Sequence, residues 1–504
     1  MVDSFDAFGY LIQPWPMFLL ILGTSLGVIV GGIPGLTGAM VIALTLPLTY
    51  AMASQDALIL LVSMYVGSIS GGLTTATLLR MPGTPASIMT TLDGYPLAQK
   101  GKAGRALGLG VTASLVGGLV SWVFLLFLAK PLADISIYLG PFEFFSLVLM
   151  ALVLIASVSN KSLIAGLLSG TLGILVTIPG VTPATGQLRW TFGVTELNNG
   201  FGLLPVLIGL FAINQIIADI LDIGAEQKEG HGPVSGMLLK LQDWTRHGWN
   251  LVRSSLIGTW IGILPGIGAN IASVMAYTTA RSSSKNPEEF GQGSEEGIVA
   301  SEAANNATVG GALIPLVSLG IPGSVIDAVL LGALVLHDLQ PGPLLFKENA
   351  EVVWVIIATY LVANLFMFVF MVSSVKLLVR LIQIPREYMI PIILVFCVVG
   401  GYALRNNMFD VWVMLVFGFI GFGLERVGIP LAPFVIGLVL APIAEENLAA
   451  GLMQSGGDYW PILTRPLSLL FFLIALGLLL WPFVWKRSRQ IDSPNQNLES
   501  TGKE

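Results

Sequence analysis

Residues 31–40 read GGIPGLTGAM, and residues 262–271 read GILPGIGANI. Each is a Pro-Gly interruption flanked by glycines, followed by small polar residues and set in a long apolar run. Proline removes a backbone donor and clashes with the preceding turn, and glycine weakens a helix. Each stretch therefore predicts two half-helices joined by unwound backbone. A chain that breaks an apolar helix twice in the same way needs a reason for the break.

The surroundings are those of a membrane. Of 504 residues, 54% are hydrophobic and 11% charged, and the mean hydropathy is +0.83. A soluble domain carries about 25% charged residues. No charge lies between Asp6 and Asp56, and the first basic residue is Arg80. Ala106–Leu128 and Val352–Val375 are uncharged and long enough to cross roughly 30 Å of hydrocarbon. The class expected is an all-α polytopic membrane protein. A net charge of −6, with 24 scattered basic residues, gives no case for nucleic-acid binding. The single cysteine, Cys397, excludes an intramolecular disulfide and a cysteine zinc site, and it reads as a small buried helix residue. Asp3 and Asp6 precede the first apolar segment where a cleaved signal peptide would have basic residues. There is no Walker loop and no HExxH, and the three histidines fall in expected loops. No enzyme, nucleotide-hydrolysing machinery or organic cofactor is indicated, so transport would draw on a gradient or on another subunit.

The two interruptions belong to a longer duplication. Pro34-Gly35-Leu36 matches Pro265-Gly266-Ile267. Gly71-Gly72 followed by Met81-Pro82-Gly83-Thr84 matches Gly310-Gly311 followed by Ile321-Pro322-Gly323-Ser324. Pro141–Phe144 matches Pro385–Tyr388, and Leu204–Leu210 matches Ala432–Leu438. Four matches in one order divide the chain into repeats over 15–222 and 254–450, with a polar amphipathic connector over 223–253. Lys100, Lys102 and Arg105 crowd one loop of the first repeat, while its counterpart His337–Glu351 is mainly acidic. Lys376, Arg380 and Arg386 crowd a loop of the second, whose counterpart Lys130–Glu143 is nearly bare of positive charge. Because basic residues favour the cytoplasm, the swap predicts inverted-topology repeats. A consistent tracing puts the N-terminus outside and the connector inside. A last helix over 463–485 then brings a basic and then polar tail, 486–504, into the cytoplasm.

Broken helices in a membrane leave free backbone groups, which protein or a watery cavity must satisfy. Helix N-termini favour anions, while C-termini and unwound carbonyls favour cations. Two inverted breaks thus predict a paired substrate and ion site near the midplane, where plain packing kinks would leave the polar Thr37, Asn270 and Ser273 unexplained. A second pair of elements, SISGGLTTATLLRMPGTPASIMTT (68–91) and NNATVGGALIPLVSLGIPGSVID (305–327), reads as re-entrant hairpins with Pro-Gly tips. We assign Thr37, Gly38, Pro82, Gly83, Thr84, Pro322, Gly323 and Ser324 to a substrate carboxylate. Pro34, Gly35, Gly266, Asn270, Asn305, Asn306 and Asp327 are assigned to a coupling cation, with sodium the one metal considered. The hydroxyls also suit bonds between helices, and Asp327 suits a structural cap. Arg80 meets an anionic substrate, or instead snorkels to the interface or pairs with Asp93, whose Asp-Gly-Tyr-Pro setting reads as a turn. Glu302, Asn305 and Asn306 either coordinate a cation or cap a helix. The uninterrupted helices over 106–128 and 352–375 suit a scaffold around a mobile unit made of breaks and tips.

The ordered set GGIPGLTGA, GILPGIGAN, LLRMPGTPAS, DGYPLAQKGKAGRALGLG and SEAANNATVGGALIPLVSLGIPGS resembles the large membrane subunit of tripartite tricarboxylate transporters, the TctA type. The resemblance covers nearly the whole chain except the C-terminal tail. It implies a bacterial inner-membrane secondary transporter for di- and tricarboxylates, coupled to sodium or protons. It also implies two partners, a small four-helix membrane subunit and a periplasmic solute-binding protein, the latter largely setting substrate choice. A homodimer is compatible with it. The alternative function is a facilitative carboxylate channel or an export permease of the same architecture.

Overall fold

The computed structural model describes residues 4–33, 36–158, 162–182, 185–221, 237, 239–266, 268–382, 386–403 and 405–491. Apart from a two-stranded hairpin, Gly180–Val181 with Leu188–Arg189, the regular structure of these residues is helical. After a short helix Ser4–Leu11, the first repeat runs α1 (Pro14–Gly31), α2 (Gly38–Thr49), α3 (Ser54–Leu79), α4 (Ile88–Leu97), α5 (Ala103–Ser136), α6 (Pro141–Val158), α7 (Leu163–Val176) and α8 (Leu203–Leu221). The second runs α9 (Leu241–Ile263), α10 (Gly268–Ser283), α11 (Glu295–Leu319), α12 (Val325–Leu336), α13 (Ala350–Ile382), α14 (Arg386–Ala403), α15 (Met408–Arg426) and α16 (Leu431–Gln454), followed by α17 (Pro466–Ile491). Each element of one repeat has a counterpart of the same kind in the other.

Among the described residues, seven helical segments are long and apolar enough to cross a membrane. Two of the arms that follow Pro-Gly motifs, α2 and α12, are not. With 12 residues each, α2 and α12 are about 18 Å long, short of the roughly 30 Å hydrocarbon core.

The core is built on α3 and α11, in which Asp56–Leu78 and Gly297–Ser318 are buried throughout. Small residues bring neighbouring backbones against them. A Cβ added to Gly27 would strike Met64 O, and one added to Gly71 would strike Val28 O, so α1 and α3 meet backbone to backbone. Between α9 and α11, Gly262 lies against Thr308 O and Gly311 against Thr259 O. This contact pairs Gly71 with Gly311, one residue away from the Gly71–Gly310 match read from the sequence, because glycine pairs alone cannot resolve a one-residue shift.

The halves interlock reciprocally: α5 packs on α11 and α13 on α3, α7 on α16 and α15 on α8, α2 on α12 and α10 on α4. An ionic cluster ties them at one end. Arg105 of α5 donates to Asp243 at 2.6 and 2.7 Å and to Glu295 at 2.9 and 3.0 Å. This guanidinium holds the Asp243 carboxyl down at about 2. His247 is buried in the same cluster, with Nε2 at 3.3 Å from Glu295 Oε2. It lies inside α9, contrary to the expectation that the histidines fall in loops; the amphipathic residues 241–253 simply continue into an apolar helix. Of the connector expected over 223–253, residues 223–236 and 238 lie outside the described residues. The basic residues 486–489 continue α17, and 492–504 lie outside the described residues.

Candidate paired site at the helix breaks

In each half the tip is pressed onto its own break. A Cβ on Gly83 would strike Gly31 O and stand 2.8 Å from Gly72 Cα; one on Gly323 would stand 2.9 Å from Gly262 O and 2.8 Å from Ala312 Cβ. The Gly266 amide, at φ +74°, donates to Gly323 O at 2.8 Å. So Gly83, Gly266 and Gly323 are backbone pieces whose role is close approach. Pro34 and Gly35 lie outside the described residues. Pro82 is exposed, Pro322 is buried, and Thr84 is buried with its Oγ1 2.9 Å from Ser87 Oγ.

Across the halves, each break faces the other half's tip. In the first pocket, Thr37 caps α2 by accepting from Met40 N at 3.1 Å, and Ser324 caps α12 by accepting from Asp327 N at 3.3 Å. A Cβ on Gly38 would strike Ser68 Oγ and reach 2.9 Å from Ile326 Cδ1, which shows how closely α2 meets α12. From α3, the Tyr65 hydroxyl lies 3.2 Å from Ser324 Oγ and donates to Asp327 Oδ2 at 3.4 Å. Asp327 Oδ1 is buried without a partner.

In the second pocket, the Pro85–Ser87 turn packs against α10 and α11. One turn on, Thr90 Oγ1 donates to Glu302 Oε1 at 2.5 Å and lies 3.1 Å from Ser301 Oγ. Ser273 of α10 donates to Ser301 O at 3.1 Å. Asn305 is fully buried, and neither of its amide atoms has a hydrogen-bond partner. Asn306 beside it is saturated: Ser70 donates to its Oδ1 at 2.6 Å, and its Nδ2 donates to Ser114 Oγ at 2.8 Å and to Glu302 O at 3.2 Å. Asn270 is half-buried in the first turn of α10.

Several sequence expectations change. Ser294 caps α11 through Gly297 N, so Glu302, Asn305 and Asn306 sit inside the helix and cap nothing. Asp93 is a buried residue of α4, not a turn. Its Oδ1 accepts the amides of Gly291, Gly293 and Ser294 at 2.8–2.9 Å, and its Oδ2 accepts the Tyr277 hydroxyl at 2.8 Å. Arg80 is exposed, in the left-handed region at φ +56°, with its guanidinium 5.8 Å from the Tyr95 ring centre. Tyr65 and Ser114, which no motif marked, reach these pockets together with Ser70 and Thr90 of the 68–91 element, which were not singled out; the one-residue error in the Gly71–Gly310 match hid the equivalence of Tyr65 and Asn305. A separate pocket, lined by Phe145, Leu152, Ile174, Arg189 and Glu445 among others, shares no residue with either.

Paired breaks and tips within an interlocked helical duplication define a polytopic membrane protein with a transporter's architecture. The family model described as "Tripartite tricarboxylate transporter TctA family" matches residues 17–436. The chain belongs to that family and is a membrane transporter subunit. It is 35% identical over 457 residues to an "Uncharacterized 52.8 kDa protein in TAR-I ttuC' 3'region" of Agrobacterium vitis, covering 91% of this chain and 90% of that one. To an "Uncharacterized protein in TAR-II ttuC' 3'region" of the same organism it is 38% identical over 221 residues, 44% of this chain and 90% of the other. No solved structure matches the chain.

Proposed function

We propose that this subunit is the large permease of a binding-protein-dependent secondary importer of di- and tricarboxylates, driven by a sodium or proton gradient. It works in the bacterial inner membrane with its N-terminus periplasmic and its C-terminus cytoplasmic. Its partners are a small four-helix membrane subunit and a periplasmic solute-binding protein. The observation that carries this reading is the crossed arrangement of the pockets. Each joins a break from one half to a tip from the other, so a relative movement of the halves' elements remodels both pockets at once. Because α5 and α13 pack on α11 and α3, the moving unit includes them, and the surrounding scaffold is sought among α6–α8 and α14–α17.

Proteoliposomes holding this chain with its small subunit, given purified binding protein and labelled citrate or succinate, test the reading. Uptake against a concentration gradient is expected under an imposed sodium or proton gradient without ATP. Equilibration without accumulation would instead establish the facilitative channel, and accumulation only with ATP hydrolysis would overturn secondary transport.

A further inference from the structure

We propose that the two pockets are divided by charge: the pocket of Asp327 takes the coupling cation, and the pocket of Asn305 takes a carboxylate group of the substrate. The division rests on the transport reading above. It follows from comparing positions that the backbone makes equivalent. Gly83 meets Gly31 O as Gly323 meets Gly262 O, and Gly71 meets Val28 O as Gly311 meets Thr259 O. Ser68 donates to Tyr65 O at 2.9 Å as Thr308 donates to Asn305 O at 2.6 Å. The same register sets Tyr65 against Asn305, Thr84 against Ser324, and Ser87 against Asp327.

At these matched positions the chemistry diverges. In the first pocket the long Tyr65 side chain reaches the facing tip and hydrogen-bonds Asp327. The remaining carboxylate oxygen, Asp327 Oδ1, is buried without a partner. A carboxylate surrounded by hydroxyl oxygens is the donor set of a hard cation. In the second pocket the shorter Asn305 makes no hydrogen bond of good geometry, although both its amide atoms are buried and Glu302 lies beside it. Leaving such groups unpaired is costly, and a ligand at the amide would relieve that cost. Here the tip offers the hydroxyls of Thr84 and Ser87 where the other offers a carboxylate. The Pro85–Ser87 turn that leads into α4 packs on α10, and an amide and hydroxyls there can donate to an anion. Glu302, one turn away, lies beside Asn305, and its oxygens accept from Thr90 and Ser114. Asn305, which the sequence assigned to the cation, is thereby reassigned to the substrate.

The test is ligand-dependent thermal stabilisation of the purified chain, titrated with sodium chloride against choline chloride, and with the choline salts of citrate and succinate at saturating sodium. Asn305→Asp is isosteric and brings a like charge to the anion, so it should weaken the carboxylate midpoint at least about tenfold and spare the sodium midpoint. Asp327→Asn should shift the sodium midpoint by a similar factor, with carboxylate binding recovered at higher sodium. Should either variant elute as aggregate, Ser87→Ala and Tyr65→Phe replace them with the same expected directions. Loss of the sodium response in Asn305→Asp or Glu302→Gln, with Asp327→Asn unaffected, overturns the division alone. A wild-type chain that responds to neither sodium nor any carboxylate overturns the transport reading and the division with it.

Discussion

The helices α3 and α11 occupy matched places, meet their partners through the same glycine contacts and are buried along nearly their whole lengths. Their side chains behave differently. Ser63, Ser68 and Thr75 of α3, like Ser301, Thr308 and Ser318 of α11, bond carbonyls of their own helix, while Tyr65 and Ser70 of α3 reach across to Asp327 and Asn306. In α11, Glu302 and Asn306 reach across to α4, α5 and α3, while Asn305 reaches no one. The backbone frame matches in the two halves where glycine lets the break and the tip touch. Side chains carry no such restriction, so the duplicated frame could hold two different chemistries.

Four experiments bear on that contrast, beginning with the largest effect. Gly83→Val and Gly323→Val each drive side-chain atoms into backbone at the break. Both should reduce uptake to background while the protein still reaches the membrane, as surface abundance reports. A strong loss in only one would show that the two tips are not mechanical equivalents. Next, single cysteines at Lys102 and Lys347, both exposed, should label from opposite faces of the membrane in a Cys397→Ser background. Gly101 and Gly342 themselves have φ of +76° and +100° and would strain under a side chain. Labelling from one face would reduce the repeat from inverted to parallel.

The third experiment exchanges the matched residues. Asn305→Tyr should fill the second pocket and lower uptake about 100-fold, whereas Tyr65→Asn opens the first and should cost about tenfold, as filling a binding pocket excludes ligand more completely than enlarging one. Equal losses would mean that the pockets share one role. Smallest is the effect on the ties between halves. Asp93→Asn weakens charge-assisted bonds and should cost about 1–3 kcal/mol of stability. Arg105→Ala breaks partly exposed pairs worth about 1 kcal/mol. Thermal unfolding in detergent gives both values, and a larger loss from Arg105→Ala would move the principal tie to the ionic cluster.

Much of this was legible beforehand because composition and punctuation are local. Apolar runs mark the spans, and the recurring Pro-Gly pairs mark where backbone must break and turn. The pairing of each break with the opposite tip was not legible, since it depends on how the duplicated halves cross. Asp93 shows the same limit. Its Asp-Gly-Tyr-Pro neighbourhood has the composition of a turn, yet its carboxylate takes amides some 198–201 residues away, and that long-range bonding goes with a helical position. Asn306 looked like a ligand by residue type, and only its three neighbours reveal it as a structural bridge.

The Asp93 contacts bear on how the protein is made. The helix behind the first tip stays unanchored until the loop holding Gly291, Gly293 and Ser294 leaves the ribosome. At about 5–20 residues per second, that is a delay of about 10–40 s. The first pocket waits longer still, because Tyr65 and Asp327 are 262 residues apart. During that interval the first half lacks the second-half partners of Asp93, Tyr65 and Ser70, although its tip and break can already meet.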